Sequence, residues 1–172
     1  LLCEAEFRRH NLDTSGVLWG GNQDAPDGGF DVVVNTSTLV SSSNYLCRKN
    51  TGFQVKKPDM PASRITPEMR PNGIVRKAIR NLIKDKGSYI IVSSGSSTTA
   101  TALEKRICAM KEAVKDCDPK GRLHLDFLDS GRIATWVRNH PGLVLWVKNR
   151  LGLSYYGWRP YEVWVRVPKG GE

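Results

Sequence analysis

Two stretches of the sequence decide the fold, DGGFDVVVN at residues 27–35 and GFQVK at residues 52–56. The first runs from a glycine-rich turn into three valines, and β-branched residues are typical of strands. The second alternates polar and apolar residues until Pro58, where a strand ladder loses its N–H donor. The sequence therefore predicts strands over 30–35 and 52–56. They are close enough along the chain to pair as a hairpin, with 36–50 as its connection.

Helical and strand patterns alternate through the rest of the chain. Apolar residues recur at helical spacing over 74–86, where Ile74, Val75 and Ile79 belong to the predicted buried face and Gly87 to the C-cap. Further helices are predicted over 1–11, 98–117, 130–139 and 141–151, and further strands over 89–93 and 123–128. The segments 16–29 and 58–72 are predicted to be turn and loop, because glycine and proline dominate them.

This order of elements predicts an α/β fold, in which a central mixed β-sheet is flanked by helices. The chain has 172 residues, the length of one ordinary domain. We expect one domain over 1–152. Residues 153–172 are expected to be a tail or linker toward a following domain, since the sequence begins at Leu1 and has the character of a fragment.

The charge of the chain indicates a polyanionic partner. The formal net charge is +9 and the isoelectric point is about 9.6. Lysine and arginine bind nucleic acid by releasing counterions from its phosphates. No apolar run has the roughly 20 residues of a membrane span, so no membrane partner is expected. The cysteines and histidines are too scattered for a zinc site, and we expect reduced thiols and a cytoplasmic location.

The candidate site combines the start of the first strand with the second strand. Residues two apart on a strand share a face, so Gln54 and Lys56 are predicted to point together, while Val55 points into the core. Asp31 opens the neighbouring strand, about 4.8 Å away in a paired sheet. A carboxylate, an amide oxygen and an ammonium are therefore expected to converge.

That trio suits phosphodiester hydrolysis assisted by a metal ion. Asp31 would hold a hard divalent cation, and Gln54 and the Val55 backbone carbonyl would add oxygen ligands. Lys56 would orient the attacking water and stabilise charge on the phosphate. The expected cofactor is Mg²⁺, with Mn²⁺ as an alternative. Either motif alone is weak, since Asp and Gly are common in turns and Asp27 is read as a turn former.

The D-x-G-x-D turn followed by a Q-x-K strand resembles the Mrr-like branch of the PD-(D/E)XK nucleases. That branch has glutamine in place of the usual acid of the second motif, and Asp31, Gln54 and Lys56 match its motif residues. The resemblance implies a restriction-endonuclease-like core and an endonuclease that acts on double-stranded DNA. The family also places a glutamate on the first helix, a role open to Glu4 or Glu6, with Glu6 preferred.

A second resemblance involves WVRNHPGLVLWVKNRLG at residues 136–152. It is similar to the segment after the core in nuclease domains fused to antiviral STAND NTPases. This implies an effector domain in anti-phage defence, fused to a regulatory NTPase and sensor region. Because cutting both strands needs two active sites, an active homo-oligomer is expected.

Several cations are candidates for contacts with the DNA backbone. In the resembled fold the helix after the Q-x-K strand lies near the substrate, which implicates the polar face of the 74–86 helix. The candidates are Arg76, Lys77, Arg80, Lys84 and, in the proline-rich loop, Arg64, with Arg70 as a similar case. The alternative is that they form only a solvated surface. Two other functions stay open, a catalytically silent nucleic-acid-binding module and an RNase or junction resolvase of the same superfamily.

Overall fold

The structure is a computed structural model that describes residues 1–20, 29–38, 45–95 and 97–153. The expected turn former Asp27 and residues 154–172 of the expected tail or linker lie outside these residues. In the part that is described, no helix is long and apolar enough to cross a membrane.

In the part of the chain that the structure describes, five strands form one mixed sheet, in the order β1-β2-β3-β4-β5. Their bounds are β1 Val17–Trp19, β2 Val32–Asn35, β3 Asn50–Lys56, β4 Ser88–Ser93 and β5 His124–Leu128. The pairs β1–β2 and β2–β3 are antiparallel, whereas β3–β4 and β4–β5 are parallel. The predicted mixed sheet and its hairpin are therefore confirmed.

Within the described ranges, six α-helices flank the sheet. They are α1 Leu2–Arg9, α2 Ala62–Met69, α3 Lys77–Lys84, α4 Ala100–Val114, α5 Ser130–Arg138 and α6 Pro141–Arg150. Local chemistry sets some of their ends: the Thr99 side chain accepts a hydrogen bond from the backbone N–H of Ala102 over 3.2 Å, which caps the start of α4. Helices therefore flank the sheet, as the α/β prediction requires.

The side-chain alternation of the strands divides the core into two layers. Phe53 and Ile90 pack with Phe7 of α1 and Trp136 of α5, and this side is called the α1/α5 face. Residues one step along each strand point the other way. On that side, called the α2/α3/α4 face, Tyr89 and other buried strand residues pack against the three helices. The candidate residues can thus be assigned to a face by their position in the strand.

Two predicted irregular segments hold regular structure. The strand β1 lies in the segment predicted to be a glycine-rich turn, because Val17 pairs with Val34 and is buried. The helix α2 lies in the segment predicted to be a proline-rich loop, although Pro67 is inside it. Ile65 and Met69 are four residues apart and fully buried, so their packing outweighs the N–H donor that proline lacks.

The helix predicted over 74–86 begins later than expected. Its first residue is Lys77, and Ile74 is 65% exposed rather than buried, because the chain reaches the helix through a 3₁₀ turn at Pro71–Gly73. At the other end the left-handed residue is Lys86 rather than Gly87. Gly87 is needed for a different reason, since a Cβ there would lie 2.6 Å from the carbonyl oxygen of Asn50.

Asp129 ties the starts of α4 and α5 together. Its Oδ2 accepts hydrogen bonds from the backbone N–H and the hydroxyl of Thr98, both at 2.7 Å, and its Oδ1 accepts the backbone N–H of Arg132 at 2.9 Å. Burial favours the neutral acid, but the hydrogen bonds from Arg132 and Thr98 outweigh it and lower the pKa of Asp129 below its ordinary 3.8.

We expect Asp129→Asn to lower the free energy of unfolding by about 2 kcal/mol at pH 7, because the amide nitrogen cannot accept these bonds. A group whose folded pKa is depressed contributes stability above its unfolded pKa and loses it as the pH falls. The difference between wild type and variant should therefore shrink as the pH falls below about 4. Urea denaturation at several pH values measures it, and a difference that is as large at pH 3 as at pH 7 would contradict this role.

Candidate functional site

Asp31, the residue before β2, lies beside Gln54 of β3. The backbone N–H of Asp31 donates to the carbonyl of Phe53 over 2.9 Å, and Phe53 is the register partner of Val32. The Gln54 side-chain amide donates from Nε2 to Asp31 Oδ2 over 2.8 Å. The Val55 backbone N–H donates to the same oxygen over 2.6 Å. The structure thus brings the first two candidate residues into direct contact, and backbone bonds fix their positions.

The Gln54 carbonyl oxygen is buried without a partner. Gln54 is 8% exposed, and its Oε1 has no hydrogen-bond partner among the described residues. The orientation of the amide is set by chemistry, because an ionised Asp31 can only accept and must face Nε2. Leaving a buried polar atom unpaired costs about 1–3 kcal/mol. A bound cation would pair with this oxygen, and a carboxylate beside it is the usual second ligand of a cation site.

The Asp31–Gln54 pair fits a divalent cation by its donor types. Both hydrogen bonds to the Asp31 carboxylate end on Oδ2, so Oδ1 accepts none from the described residues. Oδ1 and Gln54 Oε1 are hard oxygen donors, the type that Mg²⁺ takes. The described residues contain no group of three or more His, Cys, Asp or Glu side chains placed to share a metal ion.

Val55 differs from its predicted placement. Its side chain is 47% exposed, whereas the alternation of the strand predicted a core position. The reason is that β2 ends opposite Phe53, so the α1/α5 layer does not extend to the last residues of β3. The Val55 N–H instead reaches the Asp31 carboxylate. Its backbone is therefore part of the site and its side chain is not part of the core.

Lys56 is paired with a glutamate that the sequence did not single out. Its Nζ lies 3.1 Å from Glu68 Oε2. Glu68 is the penultimate residue of α2, and its other carboxylate oxygen lies 3.1 Å from Arg76 Nη2. Alternation along β3 places Lys56 and Gln54 on the same face, which is the α2/α3/α4 face. The lysine is therefore positioned near the Asp31–Gln54 pair and is anchored by Glu68.

Arg76 belongs to this cluster rather than to the outer surface of α3. It lies one residue before the helix, and its Nε donates to the Glu68 backbone carbonyl over 2.7 Å. Its side chain also packs against Gly29, where a Cβ would lie 3.2 Å from Arg76 Cδ. Gly29 has φ +93° and leads through Phe30 into Asp31. Arg76 thus bridges the turn before Asp31 and the carboxylate that holds Lys56.

Tyr89 supplies a second buried polar atom on the same face. The residue is fully buried, and its hydroxyl has no hydrogen-bond partner among the described residues. Burial raises the pKa of Tyr89 well above its usual range, and the negative charge of Glu68 raises it further. Its ring packs against Phe30, with centroids 5.7 Å apart. A neutral hydroxyl donor therefore lies near Glu68 and Asp31.

Glu6 is not brought to these residues. It is 3% exposed, and its Oε2 accepts a hydrogen bond from Trp136 Nε1 over 3.0 Å and lies 2.9 Å from His140 Nε2. Phe7, its neighbour in α1, packs with Phe53 on the α1/α5 face, whereas Gln54 points to the other face. The described contacts of Glu6 therefore connect α1 with α5 and the start of α6.

The predicted nucleic-acid contacts divide into two groups. One group is exposed and makes no ion pair with the described residues: Arg64, Lys77, Arg80 and Lys84. The other consists of Arg76, held by Glu68, and Arg70, whose Nη1 donates to Asp116 Oδ2 over 3.0 Å. The outer face of α3 and the start of α2 thus present cations that are available to a polyanion.

Comparison of the chain with models of protein families, with curated proteins and with solved structures gives no match. The case for a function therefore depends on the chemistry of the Asp31, Gln54 and Lys56 side chains.

Sequence reasoning missed Glu68 and Tyr89. Ile65 and Met69 are four residues apart, which is the spacing of one helix face and was the signal for α2. Glu68 lies between them in the sequence and would have been assigned to that helix. The ion pair itself has no signal in the sequence, because Lys56 and Glu68 meet through the tertiary packing of α2 on β3. Tyr89 reads simply as part of a buried strand.

Proposed function

We propose that this chain is a metal-dependent nuclease domain with a restriction-endonuclease-like core, which hydrolyses phosphodiester bonds in double-stranded DNA. The observation that supports it most strongly is the Asp31–Gln54 pair, whose buried Gln54 Oε1 has no partner among the described residues. Lys56 lies on the same face of β3, two residues along the strand. A carboxylate, a free amide oxygen and an ammonium on one surface are the groups that phosphodiester hydrolysis uses.

Each residue has a definite role in this proposal. Asp31 Oδ1 and Gln54 Oε1 would hold Mg²⁺, or Mn²⁺ in its place, and the Val55 backbone carbonyl is the further ligand suggested by the motif. When bound, the ion supplies Lewis-acid stabilisation of the charge that builds on the phosphate. The Val55 N–H fixes the Asp31 carboxylate. Lys56 orients water toward the phosphorus and stabilises developing negative charge by its ammonium.

The cations outside the pair support DNA as the substrate. The net charge of +9 favours a polyanion, and the exposed Lys77, Arg80 and Lys84 form a basic surface on α3. Contacts to phosphates position a duplex without reading its sequence. A double-strand break needs a second site, so the active form in this proposal is a homo-oligomer. The resemblance of residues 136–152 makes the domain, in this proposal, the effector of an anti-phage system, fused to a regulatory NTPase.

A silent nucleic-acid-binding module is the second candidate, and one observation favours it. Both charged groups of the site have partners without any ligand, since Asp31 Oδ2 accepts two hydrogen bonds and Lys56 pairs with Glu68. A module of this kind binds DNA through its basic surface and cuts nothing.

The test uses an end-labelled DNA duplex incubated with the chain in Mg²⁺, in Mn²⁺ and in a chelator, with an RNA duplex as a parallel substrate. The proposal expects cleavage of DNA that the chelator abolishes. Binding without cleavage in either metal would support the silent module instead. Preferential cleavage of RNA would mean that the domain is an RNase of the same superfamily, and that DNA is not its main substrate.

A further inference from the structure

Two cations of the candidate site converge on one carboxylate. Glu68 Oε2 lies 3.1 Å from the Lys56 ammonium, and Glu68 Oε1 lies 3.1 Å from the Arg76 guanidinium. Each oxygen therefore serves a different cation. Lysine and arginine bind carboxylate and phosphate oxygens by the same charge-assisted hydrogen bonds. The position taken by the Glu68 carboxylate is thus one in which a phosphate group would satisfy the same two cations.

The cluster is held rigidly on one side and is accessible on the other. Arg76 is fixed by its bond to the Glu68 backbone carbonyl at 2.7 Å and by its packing against Gly29. The exposed fractions of the side chains are 27% for Lys56, 17% for Glu68 and 32% for Arg76. Solvent, and therefore a ligand, can reach all three. An ion pair that is partly exposed contributes only about 1 kcal/mol or less, so an incoming anion can replace it.

A further polar group on this face interacts electrostatically with Glu68. The Tyr89 hydroxyl is fully buried, and it has no hydrogen-bond partner among the described residues. A neutral phenol is a donor, and the negative charge of Glu68 acts on it. The sheet face that carries the cluster therefore also holds a buried donor.

We propose that Lys56 and Arg76 form one phosphate-binding subsite, and that Glu68 occupies it until a phosphate of the DNA displaces its carboxylate. This inference rests on the proposed nuclease function. It deepens that function by assigning Arg76 to the subsite of Lys56, separately from the outer face of α3. Glu68 then acts as an internal competitor of the substrate, and its removal strengthens DNA binding.

The test compares the affinities of variants for a fluorescent DNA duplex, measured by anisotropy in a chelator so that no cleavage occurs. Glu68→Gln is expected to lower the Kd about fivefold relative to wild type, the factor that corresponds to one partly exposed ion pair. The charge-matched control is Glu112→Gln, which removes the same charge from an exposed pair between Glu112 of α4 and Lys115. This control is expected to change the Kd by less than about twofold, since Glu112 pairs with neither Lys56 nor Arg76 and an exposed pair contributes little.

A second comparison keeps the inference testable if Glu68→Gln folds poorly. Arg76→Gln is expected to weaken binding. It should also reduce the slope of log K against log salt by about one, the contribution of one phosphate contact. Its control is Arg122→Gln, an exposed cation before β5 at the opposite end of the sheet, which is expected to leave the slope unchanged. Circular dichroism establishes that each variant is folded.

The outcomes separate the two proposals. If wild type binds and cuts DNA but Glu68→Gln binds no more tightly than Glu112→Gln, the subsite is overturned and the nuclease stands. The same holds if the gain from Glu68→Gln survives when Lys56 and Arg76 are both replaced by glutamine. If wild type neither binds nor cuts DNA, the proposed function fails, and the subsite fails with it.

Discussion

Lys56→Ala is expected to lower the rate of DNA cleavage about 10²–10³-fold, the usual cost of removing one group that stabilises charge in a transition state. The reason is positional: Lys56 shares its face with Gln54, and its ammonium lies 3.1 Å from an anion in the substrate-free protein. A single-turnover time course on labelled duplex measures the chemical step directly. DNA binding should weaken much less than cleavage, because one phosphate contact among several is lost.

The matched control is Lys57→Ala. Lys57 is the next residue along the chain, just after β3, and it is exposed; its removal changes the net charge by the same amount. We expect its cleavage rate to stay within about threefold of wild type, since an exposed charge contributes little. Equal losses in the two variants would mean that Lys56 acts through charge alone, and the assignment of its role would be wrong.

Gln54→Glu is expected to destabilise the metal-free protein by about 3 kcal/mol, the scale for a buried charge without compensation. The amide nitrogen that donates to Asp31 Oδ2 over 2.8 Å would be replaced by an oxygen that repels it. Added Mg²⁺ should restore much of the loss, because a cation between two carboxylates stabilises the folded state by mass action, about 2.7 kcal/mol at 100 times the Kd. Urea denaturation with and without Mg²⁺ measures both effects.

Asn50→Asp is the control for this experiment. Asn50 is on the same strand, and its amide also donates to an aspartate, Asp85 Oδ2, over 3.3 Å, but this pair is exposed. The same change of amide to acid should therefore cost less than about 1 kcal/mol and should gain nothing from Mg²⁺. If Mg²⁺ rescues both variants equally, or neither, the Asp31–Gln54 pair is not a cation site.

The central strands could be predicted because each one has a local sequence pattern that is typical of a strand. The valines of β2 and the alternation of β3 are local patterns, and the short connection between them favours a hairpin. The register pairs Val32 with Phe53, which leaves the preceding Asp31 beside Gln54, and the hydrogen bond between the side chains of Asp31 and Gln54 agrees with this placement. These parts of the fold depend on few long-range contacts.

The missed elements depend on tertiary packing. Pro67 argues against a helix locally, and α2 is stabilised by the burial of Ile65 and Met69 in the core that it shares with α4. Because α2 was not predicted, Glu68 was not connected with Lys56. Glu6 shows a second limit of the sequence. Its helix was predicted, but the sequence does not say which face of the sheet the helix covers, and the structure places Glu6 with Trp136 and His140.

The most direct test of the central claim is the conversion of supercoiled plasmid to nicked and linear forms by the wild-type chain in Mg²⁺, compared with Asp31→Asn at equal DNA occupancy. Asp31 is the charged member of the pair. Asparagine has nearly the same shape as aspartate but lacks the negative charge that would hold a cation. We predict cleavage by the wild type that stops in a chelator and falls at least about 100-fold in Asp31→Asn. Intact plasmid with the wild type, or equal cleavage by Asp31→Asn, would contradict the proposed site.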